Sequence, residues 1–313
     1  MDKPSILFLI DNTTIYSHGK IISCAFTQLG YRTRVLDFNS KWSMIEDTIK
    51  TFKPDVVFSI GVRHTWMSKR IKDTGCKLVY WYPDAYFIFD NRTRDGILEV
   101  LTNCDKFITT MRGHVEAAKN ITNKVVWIPA FFSYDYYTLT GNRPDHPAID
   151  ICFIGNKHSA SPQRAPYMET IRKLIPANIW WIGHGGWYKP ILNGPKVAQI
   201  LQESKIGLNF ISGGPLNCDL QHSVRIFTVM GCGAMLLTER IPNMDDLFID
   251  GIHLVQFDGV TDLVDKSVYY LHNTDAREKI AKVGQKLVLQ KHTLKNRLIE
   301  FEKVINEIVC VKA

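Results

Sequence analysis

No apolar run in this 313-residue chain approaches the roughly 18–20 residues that a membrane span requires, the longest being of the SILFLI and AMLL kind. The opening Met-Asp-Lys-Pro runs straight into a strand-like segment without a leader pattern, so a soluble, cytoplasmic chain is expected. The seven cysteines (Cys24, Cys76, Cys104, Cys152, Cys218, Cys232 and Cys310) are scattered and form no C-x-x-C pair. That speaks against the usual zinc and disulfide frameworks and for a reducing compartment, each cysteine reading as a small buried hydrophobe. Ten histidines show no ligand spacing, and no metal is expected. There is no P-loop and no nucleophile elbow, and Gly183-His184-Gly185-Gly186 is not a G-x-G-x-x-G fingerprint. Asp245-Asp246 follows Pro242-Asn243 and reads as the acidic first turn of a helix, not as a metal-binding D-x-D.

What is present is the composition of a folded protein, 45% hydrophobic and 22% charged, with a length that suits two domains of roughly 150 residues. Thirty-eight Lys and Arg against 31 Asp and Glu give +7, a balance suited to anionic ligands such as nucleotides. Many of the cations (Lys279, Lys282, Lys286, Lys291, Lys295, Arg297) fall in C-terminal helical patterns and read as a solvated face.

Short β-rich runs alternate with helical patterns. SILFLI, RTRVLDF, DVVFSI, KLVYW, KFITT and KVVWIP form a first series, with helices starting near His18, Met44, Thr65, Thr93 and Arg112. DICFIG, NIWWIG, KIGLNF, AMLLT and HLVQF form a second. Such alternation requires right-handed crossovers and mainly parallel sheets covered on both faces. TLTGNRPDHPAID, poor in apolar residues, reads as a linker with the boundary near Gly141 to Pro147. The tail is helical, and Leu294, Leu298, Phe301 and Ile305 form a core stripe. Two doubly wound domains joined this way are expected to face each other across a cleft, with ligands at the C-terminal strand ends.

The stretch His222–Gly251 is the most informative. Ser223 is placed as a helix N-cap with Val224 and Arg225 in the first turn, after the glycine-rich loop ISGGPLNCDLQ. Free amides, a helix N-terminus and a guanidinium make a diphosphate cradle. The plainer reading is a surface arginine paired with Asp219 or Glu239. Gly155 and Asn156 lie in a turn near Lys157, His158 and Arg164, while His184 and Gly185 follow a strand. Gly185-Gly186 reads equally as a simple turn and Trp180-Trp181 as a core strand. In the first half, His18 before Gly19 titrates by type in the range useful to proton transfer, or is a solvent-facing helix start. Asp84, after KLVYWYP, ends a strand and reads by itself as a helix cap or turn aspartate beside Pro83. Arg63 and His64 also end a strand.

Arg225-Ile226-Phe227-Thr228, Gly231-Cys232-Gly233, Asp245-Asp246-Leu247-Phe248 and Gly251 together resemble the nucleotide-sugar-binding half of GT-B glycosyltransferases, in particular the CgeB/YkvP-like (spore maturation) family. YYLHNTDAREKIAKVGQKLVLQKHTLKNRL is similar to that family's C-terminal pattern. The resemblance covers Asp150–Leu298 well and the first domain loosely. One departure stands at Thr228, where the family usually carries a glutamate facing the donor ribose; threonine offers one hydroxyl and no charge. The paired glutamates of many retaining members are absent too, Leu220 standing eight positions before Thr228.

The resemblance implies a GT-B fold: two Rossmann-like domains, an acceptor domain over residues 1–143 and a donor domain over 144–290, with a C-terminal helix over 291–313 packing back toward the first domain. It implies transfer of a glycosyl unit from a nucleoside-diphosphate sugar to a hydroxyl acceptor without a metal. The catalytic candidates it implies are His18 as a general base, Asp84 to position or deprotonate the acceptor hydroxyl, and Arg225 to stabilise the leaving diphosphate. Donor-binding candidates are Gly155, Asn156, Arg164, His184, Gly185, His222, Ser223, Val224, Arg225 and Thr228. Three alternatives stay open: a non-catalytic nucleotide- or sugar-binding protein on this fold, a nucleotide-sugar epimerase, and a transferase acting on modified DNA bases.

Overall fold

The computed structural model describes residues 3–11, 18–61, 66–83, 91–137, 139, 143–157, 162–183, 185–188, 193–211 and 223–309. The chain divides into two compact units, Met1–Pro129 with Leu294–Ala313, and Ala130–Thr293.

The first unit alternates β1 (Ile6–Ile10), α1 (His18–Gln28), β2 (Thr33–Asp37), α2 (Trp42–Phe52), β3 (Val56–Ile60), α3 (Met67–Asp73), β4 (Lys77–Tyr82), α4 (Asn91–Asn103), β5 (Lys106–Thr109), α5 (Arg112–Ala118) and β6 (Val125–Trp127). All strand pairs are parallel, in the order β2-β1-β3-β4-β5-β6. Every residue of β1 is buried, because a parallel sheet is covered on both faces and its central strand has no solvent side. On one face Leu7, Leu9, Val57 and Tyr80 pack with Ile45 and Ile49 of α2, Met67 and Ile71 of α3, and Val100 of α4. On the other, Phe8 and Phe58 meet Phe26 of α1.

The second unit contains α6 (Tyr134–Tyr137), β7 (Ile149–Ile154), α7 (Arg164–Leu174), β8 (Ile179–Ile182), α8 (Gly194–Gln202), β9 (Ser204–Asn209), α9 (Val224–Gly231), β10 (Met235–Glu239), β11 (Val255–Phe257), α10 (Gly259–His272) and α11 (Thr274–Lys291). Its sheet is parallel throughout, in the order β11-β10-β9-β7-β8. α9 lies close over β9 because Gly207 stands at the crossing, where a Cβ would come within 2.4 Å of Val229.

The last helix, α12 (Leu294–Val309), belongs to the first unit. Its apolar stripe is core as expected: Leu294, Leu298, Phe301 and Ile305 are buried, and the Phe301 ring sits edge-on to Phe58 and Trp81. The Tyr31 hydroxyl donates to Glu302 (2.8 Å), and the Arg297 Nε donates to the Pro129 carbonyl (2.9 Å).

The units divide between Pro129 and Ala130, before the segment whose composition suggests a linker. Ala130, Phe132 and Tyr137 are the reason: they are buried in the core of the second unit with Phe227 and Met230. The return crossing lies between Thr293 and Leu294, slightly beyond residue 290. Ser223 also differs from expectation. It holds the N-cap position of α9, but its hydroxyl bonds to Asn209 and not to its own helix. Among the described cysteines, Cys104, Cys152 and Cys232 are buried, whereas Cys24 lies on the outer face of α1 and Cys76 is half-buried.

His18 opens α1, half-buried, with its ring edge-on to Trp81 at 6.3 Å. Burial lowers its pKa to about 4, from 6.5. The unfolded chain therefore protonates at His18 first as pH falls. The corresponding stability is complete above pH 6.5 and drains away between 6.5 and 4. Replacing His18 with Asn should remove about 1–2 kcal/mol of this acid sensitivity. Urea midpoints compared at pH 7.5 and 4.5 check it: parallel losses in both proteins would refute the assignment.

Candidate functional site

In the second sheet the chain lays β8 on one side of β7 and β9 on the other. The direction of addition reverses between β7 and β9, whose C-terminal ends are Ile154 and Asn209. Ligands of open parallel sheets gather at such switch points. Arg225, the second residue of α9, spans this one. Its Nε donates to the Ile154 carbonyl (2.8 Å) and its Nη1 donates to Asn209 Oδ1 (2.9 Å). The guanidinium carbon sits 4.7 Å from the centroid of the Phe153 ring.

Asn209 is 1% exposed, and its Nδ2 donates to Thr238 Oγ1 at 2.9 Å. That bond turns the amide so that Oδ1 points toward α9, where it accepts from both Arg225 and the Ser223 hydroxyl (2.9 Å). The guanidinium is thus held by three neutral groups: a carbonyl, an amide oxygen and an aromatic face.

A second guanidinium meets the same ring. Arg164, the first residue of α7, is 3% exposed and lies 5.1 Å from the Phe153 centroid, its Nη1 donating to the Asn156 carbonyl (2.7 Å). Burial, and after it the charge of Arg164, pulls Arg225 below its ordinary pKa. Arg225 has no carboxylate partner among the described residues. Glu239, its alternative partner in the sequence reading, instead accepts the Ile211 N–H at 3.0 Å. Two like charges against one ring, with only neutral groups holding Arg225, leave a positive potential that an anion would relieve.

The backbone between them must be glycine. A Cβ on Gly155 would lie 2.8 Å from Arg225 Nη2 and 2.7 Å from Phe153 Cζ. The turn after β8 abuts it, since a Cβ on Gly183 would lie 2.5 Å from the Gly155 carbonyl oxygen. Gly185, at φ 74°, completes that turn, with the Gly186 N–H donating to Gly183 O. One helical turn beyond Arg225, Thr228 is buried and its hydroxyl pairs with the Tyr137 hydroxyl (2.8 Å). A cavity of about 200 Å³ opens there, lined by Tyr137, Ile154, Val197, Val224, Arg225 and Thr228.

The structure brings together Gly155, Asn156, Arg164, Ser223, Val224, Arg225 and Thr228 around the ends of β7 and β9, with Gly185 in the turn after β8. His18 stands in the first unit. Asp84, His184 and His222 lie outside the described residues, as do Arg63, His64 and His158. Phe153, Asn209 and Tyr137 were not anticipated; a polar residue closing the apolar run KIGLNF was the one visible signal. A larger hollow of about 880 Å³ opens between α2 and α3 beside Pro54 and Cys76. It lies at the N-terminal ends of β3 and β4, away from the edge where parallel sheets bind ligands. Among the described residues, no helix is long and apolar enough to cross a membrane, and no group of three His, Cys, Asp or Glu is placed to hold a metal.

Residues 164–303 match the model of a family described as Glycosyl transferase-like. No curated protein matches. Among solved structures, a sucrose-phosphate synthase from Thermosynechococcus elongatus superposes with a TM-score of 0.77 at 8% identity, covering 99% of this chain and 100% of that one. A glycosyltransferase from Rickettsia africae gives 0.73 at 13% identity, with both chains covered completely. Anabaena Alr3699/HepE, solved in complex with UDP and glucose, gives 0.67 at 10% identity and covers 96% of this chain and 99% of its own. The chain has the two-sheet α/β fold of the GT-B glycosyltransferases, and its segment 164–303 carries the pattern of the glycosyl transferase-like family.

Proposed function

We propose that the protein is a glycosyltransferase using a nucleoside-diphosphate sugar, with the diphosphate held at Arg225. The observation that carries this reading is the guanidinium itself: half-buried, fixed across the β7–β9 switch point, and compensated by no carboxylate among the described residues. Loss of the glycosyl unit leaves negative charge on the diphosphate, and a preorganised cation stabilises that charge more than it stabilises the intact donor. Arg164 adds a second positive charge beside the first, so the reading calls for no metal ion. The hydroxyl acceptor must lose a proton. His18, neutral at physiological pH, is the described candidate to take it, and Asp84 is the other. A uridine donor is the first to try, because Alr3699/HepE was solved with UDP-glucose.

A nucleic-acid acceptor is the second reading. Residues 1–129 and 294–313 carry 22 Lys and Arg against 16 Asp and Glu, or +6 of the total +7. An alpha-glucosyltransferase of 10% identity, solved with UDP-glucose and DNA, shares the fold.

Arg225→Ala should lower the transfer rate by roughly 10²–10³ and weaken UDP, GDP, CDP or dTDP, whichever the protein binds. Arg225→Lys should recover little, because an ammonium cannot hold both strand ends. Titration calorimetry and donor hydrolysis measure the two effects, and near-normal transfer by the alanine variant would sink the assignment. Diphosphate binding with neither hydrolysis nor transfer to any acceptor would favour a binding protein instead. Gly155→Ala, which pushes a methyl group into Arg225, should weaken the same diphosphate roughly 10–100-fold in a protein whose circular dichroism is unchanged.

A further inference from the structure

The strand edge beyond Arg164 holds a second hollow. It measures about 520 Å³ and opens at the C-terminal ends of β9, β10 and β11, lined among others by Ile211, Glu239, Arg240, Gln256 and Asp258. We propose that this hollow receives the glycosyl group of the donor, with the Glu239 carboxylate accepting hydrogen bonds from its hydroxyls. The proposal rests on the nucleotide-sugar reading above and adds the chemistry of the sugar end.

Position is the first argument. Glu239 directly follows Thr238, which bonds to Asn209, the residue that holds Arg225. Thr238 and Asn209 are paired across β10 and β9, so Glu239 ends the strand next to β9, one strand over from the switch point. Its side chain is half-buried, and one oxygen, Oε2, is fixed by the Ile211 N–H at 3.0 Å. Glu239 makes no ion pair among the described residues. The second oxygen is left for a ligand. Burial raises its pKa, opposed by that backbone bond and by the charge of Arg164, as suits a carboxylate facing a hollow rather than open water.

Charge is the second argument. Four carboxylates, Glu239, Asp245, Asp246 and Asp258, line the hollow against one cation, Arg240. That cation is engaged, its Nε donating to both oxygens of Asp258 at 2.9 and 2.7 Å. A phosphate would be repelled here, whereas hydroxyl groups donate to carboxylates. The acidic residues do not form a metal-holding group among the described residues. The edge is therefore polarised, with guanidiniums at β7 for the diphosphate and carboxylates at β10 and β11 for a neutral, hydroxyl-rich sugar.

Calorimetric titration of wild type and Glu239→Gln tests the assignment, the glutamine keeping an oxygen for the Ile211 N–H. UDP, GDP, CDP and dTDP are titrated first, then the glucose, galactose, N-acetylglucosamine and glucuronate conjugates of whichever binds. The expected result is bare diphosphate affinity within about twofold of wild type, a neutral-sugar conjugate weakened about tenfold, and a glucuronate conjugate unchanged or improved. If every conjugate tracks the bare diphosphate in both proteins, or all ligands weaken alike, Glu239 does not meet the sugar, although the diphosphate site stands. If no diphosphate binds wild type, the nucleotide-sugar reading falls and this inference with it.

Discussion

The guanidinium of Arg225 joins the ends of two parallel strands whose paired register runs to Cys152 and Gly207. Its acceptors are neutral, so the bonds fix its place without cancelling its charge. A cation held half-buried in this way is costly, and a neutral side chain would serve the packing at least as well. Under the proposed reading, what favours an arginine here is a partner that arrives carrying the opposite charge. The surrounding residues follow from that constraint. Phe153 supplies a face, Gly155 clears the space a Cβ would take, and Thr238 orients the Asn209 amide toward the cation.

Thr228 shows how the site adapts around this fixed point. Its hydroxyl lies within bonding distance of the Val224 carbonyl (3.0 Å) and the Tyr137 hydroxyl. The pair is buried, and Tyr137 in turn stacks on Phe132 at 5.2 Å. The position that resembles a carboxylate site in related sequences is thus neutral and occupied by a phenol from α6. Under the proposed reading, a donor would meet no charge one turn beyond Arg225, and its recognition would fall to neutral hydroxyls and to the acidic end of the strand edge.

The eleven strands among the described residues could all be read from the sequence, because parallel strands covered on both faces leave continuous β-branched and aromatic runs. Arg225 was equally legible, as a basic residue in a first turn after a glycine-rich loop. Its acceptors were not. Ile154 and Asn209 are 71 and 16 residues away in the chain, and only the strand order brings them together. The division into units falls earlier than composition alone suggests for a related reason. A proline-rich stretch marks where a chain is irregular, whereas a boundary depends on which core takes the next apolar side chains. Phe132 and Tyr137 enter the second core before that stretch begins.

The same accounting bears on how the molecule is assembled. The second unit is one continuous segment, but the first is completed only by α12, whose Phe301 closes the face formed by Phe58 and Trp81. The second unit is in effect an insertion within the first, between Pro129 and Leu294. Both crossings are stitched locally: the Phe132 N–H donates to the His292 carbonyl at 2.8 Å within the second unit, and Arg297 donates to Pro129 within the first. Contacts so distant in sequence form late, because the chain between them must be ordered before they yield any stabilisation. The six-stranded sheet can pair from its own residues during synthesis, but Phe58 and Trp81 gain the Phe301 ring, beside what α1 already supplies, only when the last helix arrives. The unit that carries Arg225 needs no residue beyond Thr293 for its core, so the surroundings of Arg225 can form before the other unit is complete.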